Sequence, residues 1–222
     1  MTHLMRIALV HLLDVLTLTF FSFALLPVMA ALSVLEVGNH KFSLYRVDPE
    51  RLVIVRYNPN RYPLFSGPYR NWPTLKTDGK QVQFGKLVPA LCVVNGDVFV
   101  VEHPINAKAL YRHASLWITA GPVLVRKGKP ACREEVKSEY RNLDTDGLTS
   151  RVILLVWKDG SVGFMFNSNA TLWQMQKAAV HLKADYALNL DGGSCTVWQP
   201  NNKQKLTGKD VVEGYTWCIG VK

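Results

Sequence analysis

Residues 150–166, SRVILLVWKDGSVGFMF, constrain the fold of this chain more than any other stretch. Two apolar runs flank Lys158-Asp159-Gly160, and Asp-Gly between apolar runs is a strong hairpin signal. The run after Arg151 is wholly apolar, so it reads as a strand of the interior. The same texture begins near Asn39. KFSLYRVDPERLVIVRYN (41–58) reads as two short strands about the turn Asp48-Pro49, and NPNRYPLFSGPYRNWP (58–73) as loop, with four prolines and a glycine. LVPALCVVNGDVFVV (87–101) is strand, polar corner and strand, and LWITAGPVLVRKGKP (116–130) is strand, Gly-Pro turn, strand and a Lys-Gly turn. CREEVKSEYRNLDTDG (132–147) is charged throughout and reads as surface loop. In 169–183 the period changes: Leu172, Met175, Ala179 and Leu182 recur at helical spacing, with Asn169 as the expected N-cap. The last strand expected is YTWCIGV (215–221). Many strands and few helices predict a single α+β domain over 37–222, built on a mixed, largely antiparallel sheet.

Residues 1–36 differ in kind. Val15 to Leu35 is uncharged, follows Arg6, and ends near the small residues of VMAA (28–31). It reads as a signal peptide or a membrane anchor, and either places the working domain outside the cytoplasm. The four cysteines, Cys92, Cys132, Cys195 and Cys218, then allow three full disulfide pairings among which the sequence does not choose. No CxxC or other metal-ligand spacing occurs. The chain carries 26 Lys and Arg against 17 Asp and Glu, for a net charge of +9. Residues 41–90 hold nine of the cations and three of the acids, a surface that attracts anions. No finger, RNA-binding signature or basic run accompanies it, so nucleic acid is not the expected partner.

Three apolar strands end in polar, glycine-rich corners: Asn95-Gly96-Asp97, Thr119-Ala120-Gly121-Pro122, and Asn189 through Thr196. Arg151 opens a fourth. Charged groups at buried strand ends are costly unless they pair or meet a ligand, so their recurrence predicts convergence on one pocket. Taken in order, VVNGDVF (93–99), TAGPVLVRKGK (119–129), the Arg-led hairpin at 150–166 and ADYALNLDGGSCTVW (184–198) resemble the motifs of the phosphodiester glycosidases. That family includes bacterial exopolysaccharide-associated members. Against its pattern, Ser194 stands for a third glycine, and Cys195 and Thr196 stand for two serines. The segment between Phe99 and Trp117, with His103 and His113, is shorter than usual.

The resemblance implies a hydrolase that cleaves a sugar-1-phosphodiester, with a sugar-phosphate or anionic glycan as partner and no metal or other cofactor. It nominates Asp97 and Asp191 as a carboxylate pair and Arg151 as a phosphate clamp or a structural ion-pair partner. Asn95 and Asn189 would bind sugar hydroxyls. Gly192 and Gly193 would bring backbone N–H groups to an anion, with Ser194 and Thr196 orienting. A second reading is a non-catalytic envelope protein that binds anionic glycans on the same fold, possessing the pocket without turnover. A third is a thiol hydrolase using Cys195, with His103, His113 or His181 as partner.

Overall fold

The computed structural model describes residues 31–68 and 73–222. Residues 1–30 of the N-terminal apolar segment lie outside these. Among the described residues, three antiparallel sheets and three α-helices make up one domain, as the α+β reading requires.

The largest sheet has seven strands. β1 (Ala31–Val37) pairs with β2 (His40–Val47), which continues to the central hairpin β12 (Thr149–Val156) and β13 (Val162–Ala170). β14 (Tyr186–Asn189), β10 (Val123–Arg126) and β11 (Lys129–Pro130) complete it in that order. A second sheet holds β3 (Leu52–Arg56), β4 (Leu64–Ser66), β15 (Val197–Gln199), β16 (Leu206–Thr207) and β17 (Trp217–Val221). The third is formed by β5 (Leu75–Thr77), β6 (Lys80–Gln83), β7 (Ala90–Val94), β8 (Asp97–Val101) and β9 (Leu116–Thr119). The helices are α1 (Pro104–His113), α2 (Arg133–Glu139) and α3 (Leu172–His181).

Two expected turns prove to be crossings between sheets. Asp48-Pro49 starts a 3₁₀ turn that takes the chain from β2 in the first sheet to β3 in the second. Gly121-Pro122 carries it from β9 in the third sheet to β10 in the first. A two-residue signal marks the reversal but does not say which neighbour each strand will take.

The three sheets meet in one apolar core. Leu154 and Phe164 of the first sheet, Phe65, Trp198 and Ile219 of the second, and Leu91 and Ile118 of the third share it. Phe65 stacks on Phe164 with centroids 4.1 Å apart and meets Trp198 at 5.1 Å. Removing a buried ring of this kind leaves a cavity and costs roughly 3–5 kcal/mol. The opposite face of the first sheet carries Ile153, Leu155 and Met165, which α2 and α3 cover with Val136, Leu172 and Met175. β12 is therefore buried on both faces, which explains its unbroken apolar run.

Sequence and structure differ at three local points. Helix α3 begins two residues later than expected: Thr171, not Asn169, caps it, in a capping box with Gln174, while Asn169 lies within β13. Residues 133–139, read as loop, form α2, whose single buried residue Val136 leaves too narrow an apolar stripe to register as periodic. Helix α1 was not anticipated. It likewise buries one residue, Ala107, and Pro104 at its first turn was its sequence signal.

Candidate active site

At the C-terminal end of β14 the chain leaves the sheet at Leu190 and turns through Asp191-Gly192-Gly193 into a short 3₁₀ turn, Gly193–Cys195. Neighbouring elements fix this loop from three sides. The Asp191 N–H donates to Gly67 O at 2.9 Å, just past β4. Ser150 Oγ donates to Gly193 O at 3.1 Å and shares a hydrogen bond with Thr196 Oγ1 at 2.7 Å. Asp210 N donates to Ser194 O, and Gly208 N to Thr196 O. Glycine is needed where backbones meet so closely. A Cβ on Gly192 would stand 2.7 Å from Ser150 O, on Gly208 2.1 Å from Ser194 O, and on Gly67 2.2 Å from Trp217 O.

Asp191 is the chemically distinctive group here. Burial pushes its carboxyl up to about 6, against which a backbone hydrogen bond from Gly192 N–H and a contact with the Cys195 thiol act weakly. Desolvation penalises the charged form, and one peptide N–H does not replace lost water. Beside it, Cys195 is also held above the ordinary thiol range, first by burial and then by the Asp191 charge. A thiol that resists ionisation is a poor nucleophile, which weighs against a thiol hydrolase. Among the described residues the Gly193 and Ser194 N–H groups, which open the 3₁₀ turn, are given to no acceptor. Such a pair is suited to an anion.

Asn189 is 2% exposed, and its Oδ1 is one of two buried side-chain atoms without a hydrogen-bond partner among the described residues, the other being Gln199 Oε1. Arg151 is 4% exposed. Its guanidinium donates to the backbone carbonyls of Ala170, Asp144 and Gly147, thereby anchoring the 144–147 loop over the start of β12. These bonds hold the guanidinium against backbone, and among the described residues no cation is a cause of the Asp191 shift.

The register separates Asp97 from Asp191. Near its start β12 passes Gly192 at Ser150, and it ends at Val156, opposite Val162, which itself pairs with Val47. Val47 leads into the turn containing Glu50, and a Cβ on Gly96 would meet Glu50 Oε1 at 3.0 Å. The Asn95-Gly96-Asp97 corner thus lies at the far end of β12 from Asp191, a strand length of roughly 20 Å at about 3.3 Å per residue. There Asn95 and Gly96 have φ of 53° and 88°, the signature of a tight hairpin turn, and Asp97 is solvent-exposed. The expected carboxylate pair is not brought together. The Asn-Gly dipeptide is explained by turn chemistry, which sequence alone could not distinguish from a site motif.

The structure gathers Asn189, Asp191, Gly192, Gly193, Ser194 and Thr196 and adds Ser66, Gly67, Ser150, Gly208 and Asp210. Ser150 was in view beside Arg151, whereas Gly67 lay in a proline-rich stretch read as loop. His103 and His113 flank α1 and His181 ends α3; none is among the groups that shift Asp191 or Cys195. All four cysteines are free thiols.

The model of the phosphodiester glycosidase family matches residues 65–210, well over half of the chain, and the chain belongs to that family. Its fold is similar to that of the zebrafish N-acetylglucosamine-1-phosphodiester alpha-N-acetylglucosaminidase catalytic domain, described as auto-inhibited by its pro-peptide. The TM-score is 0.63 at 13% identity, covering 87% of this chain and 82% of that one. A hypothetical protein from Synechocystis is similar at a TM-score of 0.55 and 12% identity, covering 86% of this chain and 61% of that chain. No curated protein sequence matches.

Proposed function

We propose that the domain hydrolyses a sugar-1-phosphodiester, with Asp191 as its proton-carrying carboxyl. The observation that carries this reading is the Asp191 carboxyl raised to about 6 on a loop whose free N–H groups suit an anion. A phosphate monoester has a second pKa of about 6, so a carboxyl of matching acidity can protonate it as it departs. In the first step the bond between the anomeric carbon and the phosphate oxygen breaks, the electron pair leaves with the phosphate, and Asp191 donates its proton to that oxygen. Water then adds to the anomeric carbon, and its proton returns to Asp191. The products are the free sugar and a phosphomonoester, and the carboxyl is regenerated. The N–H groups of Gly193 and Ser194 hold the phosphate. Asn189 Oδ1, in want of a donor, accepts from a sugar hydroxyl. Ser150 and Thr196 keep the loop in place. If residues 1–36 direct export, the substrate lies outside the cytoplasm. Incubating the purified domain with UDP-N-acetylglucosamine and a panel of sugar-1-phosphodiesters tests the reading. Free sugar should accumulate, and its absence across the panel would refute the activity.

A further inference from the structure

A cleft of about 480 Å³ opens between α2 and α3, lined by no residue of the Asp191 loop. Trp173, Gln176, Lys177 and Val180 line one wall, and their spacing of three and four residues places them on a single face of α3. Arg133 of α2 and Pro130 of β11 line the other. The volume lies within the usual range for small-ligand sites, roughly 300–1,000 Å³.

Among the described residues no acid lines this cleft. The carboxylates close to its cations in sequence or space have partners of their own: Arg126 for Glu135 at 2.8 Å, the Cys132 thiol for Glu134 at 3.0 Å, and both Lys137 and the Trp173 indole N–H for Asp146 at 2.7 Å. Arg133, followed by two glutamates in the chain, makes a salt bridge with neither and lies over the Trp173 ring at 5.0 Å. Lys177 makes no ion pair among the described residues and is exposed. The floor is rigid, since Gln176 Nε2 donates to both Leu124 O and Ala131 O at 2.9 Å. Two cations over a fixed, partly apolar floor, one of them beside the Glu134 charge, make a receptor for an anion carried on a ring.

We infer that this cleft binds an acidic saccharide, its carboxylate or phosphate held between Arg133 and Lys177 and its ring face against Val180 and Pro130. The guanidinium presents a planar donor fork to the anion while the ammonium adds a point charge. Binding here does not depend on hydrolysis at Asp191. The cleft is nonetheless near that loop: a Cβ on Gly193 would lie 3.4 Å from Thr149 Oγ1, Thr149 pairs with Ala170, and Ala170 precedes the α3 cap.

The test is titration of the whole domain with a galacturonate oligomer, a glycerol-phosphate oligomer, a neutral chito-oligosaccharide and anionic phospholipid vesicles, followed by amide and indole NMR shifts. The acidic oligomers should shift the Trp173 indole and Gln176 side-chain signals, and binding should weaken as salt rises. The two oligomers distinguish a carboxylate from a phosphate ligand. Lys177→Glu and Arg133→Glu, both surface changes, should each weaken binding about tenfold, or ~1.4 kcal/mol. Asp191→Asn should leave it unchanged, which separates this inference from the hydrolase reading. Equal binding of the neutral oligomer, binding of vesicles alone, or affinity indifferent to both charge reversals would overturn it.

Discussion

Asp191 carries opposite demands on stability and chemistry. Its carboxyl titrates near the ordinary 3.8 when unfolded and at about 6 when folded. Between those values the native chain holds a proton that the unfolded chain has lost, so the stabilisation present below pH ~4 is lost as pH rises through ~6. The difference is on the order of 3 kcal/mol. Asp191→Asn cannot ionise and keeps an acceptor for the Gly192 N–H. Above pH ~6.5 that variant should be the more stable by up to ~3 kcal/mol, by urea denaturation, and the advantage should vanish near pH 4. Asn189 makes a related case. A buried unpaired acceptor costs roughly 1–3 kcal/mol, and Asn189→Leu removes it at similar volume. The melting temperature should rise while sugar release falls; a lower melting temperature would show that Oδ1 has a partner. Cys195 should be dispensable as a nucleophile. Cys195→Ser should retain most of the activity, whereas Asp191→Asn should speed alkylation of Cys195 by removing the charge that holds its thiol protonated.

At the scale of elements, the Asp191 loop is held by ends of strands that belong to two sheets, with α3 starting close by. The capping box of Thr171 and Gln174 fixes that start. Thr171→Ala should cost about 1 kcal/mol, read as a lower urea midpoint with unchanged slope. How legible an element was followed from how much of it is buried. β12 and β13 were plain, because both faces of β12 are covered and its sequence says so. α3 was plain too, with six buried residues giving a clear period. α1 and α2 were not, since each buries one side chain and the rest is polar surface. The loop from Asn189 to Thr196 was legible as a site because its strand is apolar up to the corner. The Asn95-Gly96-Asp97 corner looked the same in sequence. What separates them is tertiary: one corner is packed among Gly67, Ser150 and Gly208, while the other projects at the tip of an exposed hairpin.

Over the whole molecule, three sheets around one core leave the end of β14 enclosed enough to desolvate a carboxylate, and the hydrolytic reading depends on that enclosure. The family and the shared fold establish the setting, but the chemistry rests on a single ionisable group in a protected corner. The most direct measurement is the pH dependence of kcat/KM for sugar release from a sugar-1-phosphodiester, for the native domain and for folded Asp191→Asn. If Asp191 supplies the proton, activity should fall above an inflection close to pH 6 and drop at least about 100-fold in the variant. A rate that passes through pH 6 without inflection, or a variant as active as the native domain, would contradict the account.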